Sequence, residues 1–242
     1  MLDKAIVIEN LSKIYKNNRG IQDLNLEIDR GEIFGFLGPN GSGKTTTMKV
    51  MVGLMKADKG DVRINGYSIS NEYEQAMKNV GCIIENVTPF PYLTAYENMK
   101  LYGRFFEDVD DARIDKSLEI TGLIKYKKEK IKNYSLGMKQ RIGIAMAILS
   151  NPEILILDEP LNGLDVEGMV EMRNLILSLS EQNKTTFFIS SHLIHDIELT
   201  CSKVGILYDG KLLGTDSTHN ILKNYSSLEN YYLSEVDLNA DA

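Results

Sequence analysis

The feature that most constrains this chain is a glycine-rich turn set between a strand and a helix. Gly38-Pro39-Asn40-Gly41-Ser42-Gly43-Lys44-Thr45 fills the spacing GxxxxGK[ST], with an apolar run at 33–37 before it and a helical pattern at 45–54 after it. A strand that runs straight into such a loop and then a helix belongs to a sheet covered by helices, with the loop at the strand's carboxyl end. The glycines let successive backbone N–H groups turn toward one point, and the helix adds the positive end of its dipole, so the loop suits phosphate. Lys44 is then placed to pair with β- and γ-phosphates and the Thr45 hydroxyl to ligate Mg²⁺. An ordinary glycine turn is the plain alternative, and the full motif in its strand–helix context outweighs it.

The rest of the chain agrees with that frame. Residues 5–8, 24–28 and 33–37 read as strands, and 60–69 reads as a hairpin centred on Asn65-Gly66. Another buried strand is expected at 80–84. The character then changes: Thr94 and Glu97 form a capping-box pattern before helical periodicity at 98–106, and a second helix is expected at 112–120. Strand and helix alternate again at 154–157, 166–179, 185–189, 193–199 and 204–208, before Asp209-Gly210 turns the chain into 211–213. This order predicts an α/β fold with a mostly parallel sheet and an inserted helical segment. Beyond residue 229 the tail is polar and acidic.

Composition excludes several classes. Across 242 residues, 34 acidic against 27 basic side chains leave a net charge of -7, a poor match to nucleic acid. Cys82 and Cys201 stand alone, with no disulfide framework or zinc spacing, which fits a reducing compartment. The apolar stretch at 5–8 is too short for a signal peptide, and the longest apolar tract, 142–149, falls well short of the ~20 residues needed to span a bilayer. Work at a membrane would therefore require another chain to cross it.

A phosphate loop does not by itself say whether phosphate is cut, and a second element answers that. The run Ile154-Leu155-Ile156-Leu157 ends in Asp158-Glu159, which puts adjacent carboxylates at the carboxyl edge of a parallel sheet. Asp158 can hold Mg²⁺ and Glu159 can orient or activate an attacking water. Alone, an Asp-Glu turn is a solvated strand end; beside the loop it is half of a hydrolytic site.

The intervening motifs are more specific. Tyr134-Ser135-Leu136-Gly137-Met138-Lys139-Gln140-Arg141 resembles the signature motif of ATP-binding cassette (ABC) proteins, Asn162-Gly163-Leu164-Asp165 resembles their D-loop, and His192 resembles their switch histidine. Tyr15 matches the aromatic position on which they stack adenine. The resemblance covers residues about 5 to 215. It implies a phosphate-loop NTPase (RecA-like) core with an N-terminal antiparallel β subdomain and an inserted α-helical subdomain at about 87–150. The whole chain, 1–242, would then be a single nucleotide-binding domain with a short tail at about 216–242.

By that resemblance ATP is held by Tyr15, Gly38, Pro39, Asn40, Gly41, Ser42, Gly43, Lys44, Thr45 and Thr46, and Mg²⁺ by Thr45, Asp158 and Glu85. Glu159, His192, Lys44 and Glu85 carry catalysis. Ser135 and the Gly137 N–H, at the start of a helix over 136–149, form a second anion site, which in the family meets the ATP of another subunit together with Asp165. The implied partners are that second ATPase subunit and integral membrane permease subunits, on the inner face of the cell membrane. The helical segment 89–106 carries Phe90, Tyr92, Tyr96, Tyr102, Phe105 and Phe106, and is either core or in part the groove that receives the permease.

Departures from the family pattern stand at Leu136 and Met138 (usually Gly and Gln), at Asn162 (usually Ser) and at Glu85 (usually the Gln of the Q-loop). Glutamate there adds negative charge beside a metal held by Asp158. The combination resembles ATPase subunits of bacitracin-type and lantibiotic-immunity exporters. A non-transport ABC clamp acting on nucleic acid or ribosomes is the rival, opposed by the acidic charge and the absence of a basic or coiled-coil insertion. His192 and His195 have a spacing that could hold zinc, but a phosphate contact for His192 is the better reading.

Overall fold

The protein is described from a computed structural model over residues 4–85 and 89–240. The first two strands, β1 (Lys4–Ile14) and β2 (Gly20–Asp29), pair antiparallel and are longer than the periodicity suggests. Their registers shift at Ile8/Leu11, where Asn10 takes φ 49°, so the inward–outward alternation breaks and the pattern in the sequence stops short. β3 (Ile33–Leu37) leads through the loop into α1 (Lys44–Met51). β4 (Lys59–Ile64) and β5 (Tyr67–Ser68) form the expected hairpin, with Asn65 and Gly66 both at positive φ (52° and 85°) as its two-residue turn demands.

After the short α2 (Tyr73–Met77) and β6 (Val80–Ile83), the helical segment contains α3 (Ala95–Gly103), α4 (Asp111–Ile120) and α5 (Leu136–Ala147). The Thr94–Glu97 capping box forms in both directions at the start of α3. Where this segment begins, near residue 87, lies outside the described residues. β7 (Ile154–Asp158), α6 (Val166–Asn183), β8 (Thr186–Ser191), α7 (Ile194–Thr200), β9 (Lys203–Tyr208) and β10 (Lys211–Ser217) complete the alternation. The tail is not merely polar. α8 (Thr218–Asn224) and α9 (Leu228–Ala240) fold back, and Leu228 and Tyr231 enter the core with the Tyr231 ring against Tyr225.

Two sheets result, ordered β2-β1-β4-β5 and β10-β9-β3-β8-β7-β6. The first is antiparallel; in the second only β10 runs against its neighbour. The large sheet is covered on both faces, which is why its strands read as unbroken apolar runs. Phe34, Phe36, Ile154, Ile156 and Phe188 point to the face shared with α1 and the antiparallel sheet, while Leu37, Leu155, Leu157, Phe187 and Ile189 point to the face covered by α5, α6 and α7.

The helical segment has its own core, built on Met99, Ile114, Leu118, Ile131 and Tyr134, and α5 joins it to the sheet. Ile142, Ala145 and Leu149 face the helical core; Ile144, Ala147 and Ile148 face the sheet. The carboxyl end of α5 is closed from a distance by Arg113 of α4, which donates to the carbonyls of Leu149 (2.8 Å) and Ile148 (2.6 Å). A cation suits the negative end of the helix dipole, and its two N–H groups satisfy carbonyls that the helix leaves without partners. Arg113→Ala is expected to cost about 2 kcal/mol, a drop of about 4–8 °C in Tm for a chain of this size, measured by thermal unfolding; an unchanged Tm would remove this cap from the account.

Candidate functional site

The site follows from strand register. Leu37 of β3 lies opposite Ser191 of β8, and Asp158 of β7 lies opposite Ser190, so three adjacent parallel strands end together. Gly38, Asp158-Glu159 and Ser190 to His192 therefore emerge at one carboxyl edge, although far apart in sequence.

Within the loop, Gly41 and Gly43 take φ 85° and 113°, a backbone region closed to most side chains. A Cβ at Gly38 would stand 2.2 Å from the Leu207 carbonyl and one at Gly43 2.7 Å from Ile21, whereas above Gly41 the space is open. Gly43 caps α1, whose first N–H groups have no intrahelical acceptors and point into the loop. The Ser42 hydroxyl is buried there with no hydrogen-bond partner. Lys44, 5% exposed, donates to the Gly38 carbonyl (2.7 Å) and pairs with Glu159 (3.3 Å). Concentrated N–H donors, a buried ammonium and an unpartnered hydroxyl fit a polyphosphate.

The carboxylates are held just as closely. Thr45 Oγ1 donates to Asp158 Oδ2 at 2.9 Å, and the Ser190 hydroxyl donates to Asp158 Oδ1 at 2.5 Å. Glu159 has φ 50°, and its N–H reaches the Ser190 hydroxyl at 3.0 Å. From that backbone its side chain lies between Lys44 and His192, whose Nδ1 is 2.8 Å from Oε2. The adjacent Thr45 hydroxyl and Asp158 carboxylate are hard oxygen donors, the set Mg²⁺ accepts when phosphates and water complete its shell.

A cleft of about 360 Å³ beside the loop is lined by Tyr15, Asn17, Arg19, Gly41, Lys44 to Thr46 and Glu159. The Tyr15 hydroxyl lies 3.2 Å from Thr46 Oγ1, which sets the ring at the mouth of this cleft. Pro39 and Asn40 are exposed at the tip of the loop.

Glu85 sits at the end of β6 with φ 65°, and its carboxylate forms an ion pair with Lys49 of α1. Its negative charge is thus matched by a local cation. The Glu85 hydrogen bond holds the Lys49 ammonium above the usual lysine range. A raised lysine value keeps the Lys49 ammonium charged until pH climbs past it, so that side of the pair is in place at neutral pH.

A second cleft, about 550 Å³, separates these carboxylates from α5 and is lined by Glu85, Leu136, Lys139, Gln140, Asp158 and Asn162 among others. Gln140 spans one side of it, donating to the Asn162 carbonyl at 2.8 Å. Ser135 and Gly137 open α5 beyond this cleft and are not part of the phosphate loop's lining; the Ser135 hydroxyl accepts from Met138 N–H. Asp165 caps α6 through Gly168 N–H at 2.9 Å. His192 is bonded to Glu159, and among the described residues no group of three or more His, Cys, Asp or Glu could hold a metal ion.

Sequence reasoning missed Lys49, Ser190 and Arg19. Lys49 stands one helical turn after Thr45, and a Ser190-Ser191 pair breaking an apolar strand just before His192 was a readable signal.

Similarity to known proteins agrees with this geometry. The family described as ABC transporter matches residues 21–162. The chain is 46% identical over 206 residues to the uncharacterized ABC transporter ATP-binding protein YhcH of Bacillus subtilis, covering 84% of this chain and 68% of that one. It is 41% identical to the bacitracin transport ATP-binding protein BcrA of Enterococcus faecalis (88% and 69% covered) and 35% identical to the lantibiotic transport ATP-binding protein SrtF of Streptococcus pyogenes (92% and 92%).

Among solved structures, the ATP-binding subunit of an ABC transporter superposes with a TM-score of 0.82 at 25% identity, over 96% of this chain and 99% of that one. A dimeric ATP-binding cassette in a post-hydrolysis state, bound to ADP and Pi, gives 0.78 at 25% identity over 88% and 98%. Among the described residues no helix is long and apolar enough to cross a membrane. With its phosphate loop, paired carboxylates and signature helix on this α/β frame, the chain belongs to the ATP-binding subunits of ABC transporters and is an ATPase.

Proposed function

We propose that this ATPase energises export of a peptide antibiotic or a related amphiphile through separately encoded membrane subunits, from the inner face of the membrane. The observation that carries the reading is the likeness to bacitracin and lantibiotic transport proteins at 41% and 35% identity, over most of this chain.

In this reading adenine stacks on Tyr15, and the phosphates lie along residues 38–46. Lys44 turns from Glu159 toward the β- and γ-phosphates, which compete for it as the stronger anions. Thr45 and Asp158 hold Mg²⁺, which neutralises developing charge on the phosphates. Glu159, freed of Lys44, orients and deprotonates the attacking water, while His192 follows the γ-phosphate. Ser135 and the Gly137 N–H meet the γ-phosphate of a second subunit, and Asp165 lies at the same junction, so two ATPs are enclosed in a two-fold dimer. The dimeric cassette among the structural relatives supports that arrangement. Closing and opening of the dimer moves the membrane subunits.

Docking of the permease falls to the aromatic face of the helical segment. Phe90, Tyr92 and Phe105 are 58%, 74% and 81% exposed, while Tyr102 and Phe106 pack together. Solvated aromatics on both sides of α3 suit an apolar partner.

Three outcomes test this reading. Glu159→Gln is expected to abolish turnover while accumulating an ATP-bound dimer by size-exclusion chromatography; wild-type hydrolysis in that variant removes Glu159 from the mechanism. Glu85→Gln is expected to change the rate of hydrolysis but to retain ATP binding, with Lys49→Met acting in the same direction because it breaks the same pair; loss of nucleotide binding in Glu85→Gln counts against its placement. Tyr92→Ala combined with Phe105→Ala is expected to leave hydrolysis by the isolated subunit within about twofold, as surface changes usually do. The same variant should no longer recover a multi-helix membrane subunit from detergent extracts, and unchanged recovery, or a nucleoprotein complex in its place, argues against this docking face and against transport respectively.

A further inference from the structure

We infer that Ser190 is a positioning residue: its hydroxyl locks the Asp158 carboxylate and the Glu159 backbone to the strand end that carries His192. The inference rests on the roles assigned above to Asp158 and Glu159.

Ser190 is fully buried at the end of β8, directly opposite Asp158 in the parallel ladder. Every hydrogen-bonding capacity it turns toward β7 is used. Its hydroxyl donates to Asp158 Oδ1 and accepts from Glu159 N–H, and its carbonyl accepts from the same N–H at 3.2 Å. Asp158 is itself buried, and its other oxygen is taken by Thr45. A buried carboxylate with one oxygen tied to β8 and the other to the phosphate-loop helix has a single orientation. Removing the serine hydroxyl leaves Oδ1 buried without a donor and frees the group to rotate away from Thr45.

The second effect acts on Glu159. A glutamate in the left-handed region is uncommon and costs conformational energy, so its surroundings must hold it there. Among the described residues its N–H is held by Ser190, through hydroxyl and carbonyl. In that conformation its side chain reaches both Lys44 and His192. His192 lies two residues beyond Ser190 on the same strand end, so the switch histidine, Ser190 and Glu159 form one closed ring of contacts. A shift of His192 toward a γ-phosphate is thereby passed to Glu159 through the backbone that Ser190 shares with it. Ser190 touches no reacting atom in this scheme; it fixes the groups that do.

The test compares Ser190→Ala, Ser190→Cys and Ser190→Thr with the wild-type chain, measuring ATP turnover, ATP affinity with and without Mg²⁺, and Tm. Ser190→Ala is expected to lower kcat by about 10- to 100-fold, the worth of a hydrogen bond to a charged group. It is also expected to weaken ATP binding in the presence of Mg²⁺, leave Mg²⁺-free ATP binding within about threefold, and be rescued in large part by Ser190→Thr, which restores the hydroxyl.

Turnover within about twofold of wild type in a folded Ser190→Ala, or an equal loss of affinity with and without Mg²⁺, overturns the inference. If the alanine variant does not fold, Ser190→Cys carries the same comparison at nearly constant volume with a much poorer donor, and wild-type turnover there overturns it equally. Failure of the wild-type chain to hydrolyse ATP would instead refute the assigned roles of the carboxylates, while the Mg²⁺ dependence of ATP affinity still decides the place of Ser190.

Discussion

Everything at this site depends on the hydrogen-bonded register of three parallel strands. With Ile33 opposite Phe187 and Leu157 opposite Ile189, β3, β8 and β7 end level with one another. A slip of one residue would turn the two faces of these strands inside out, and both faces are packed, so the register is fixed by burial on each side. The polar residues that follow the apolar runs are then carried to one edge by the core. The geometry of this edge is a by-product of hydrophobic packing, since Phe34, Phe36 and Phe188 interlock on one face while Leu155, Leu157 and Phe187 do so on the other.

At that edge each carboxylate finds a cation or a hydrogen-bond donor. Glu159 lies between Lys44 and His192, Asp158 is tied to Thr45 and Ser190, and Glu85 is matched by Lys49. Buried or half-buried charges are tolerated because each finds a partner. In the proposed reading, the phosphates of a bound nucleotide take Lys44 from Glu159, which would join nucleotide binding to release of that carboxylate. The pairing of Glu85 with Lys49 also removes the simplest objection to a glutamate at that position, which is repulsion by Asp158.

The signature helix links this edge to the helical segment. α5 divides its apolar residues between two cores, donates through Gln140 to the Asn162 carbonyl and is tied to α6 by the Arg141–Glu171 pair at 3.3 Å. This packing ties the helical segment to residue 162 and to the start of α6 without an intervening loop.

Local signals carried the elements whose chemistry is written in neighbouring residues. The loop between β3 and α1, the Asn65-Gly66 hairpin turn, the Thr94–Glu97 capping box and the carboxylate-tipped strand β7 were all legible because a handful of consecutive residues decides each. The length of β1 was hidden by the bulge at Asn10, and α9 was hidden by polar composition, since what makes it a helix is the seating of Leu228 and Tyr231 on a core built elsewhere. By itself the sequence determined the class of fold, the glycine-rich loop between β3 and α1, and the strand that ends in Asp158-Glu159. Only the tertiary structure decided that Lys49 answers Glu85, that Arg113 closes α5 and that Ser190 holds Asp158 and Glu159. Each of those contacts joins residues brought together by strand register and helix packing, which no local pattern encodes.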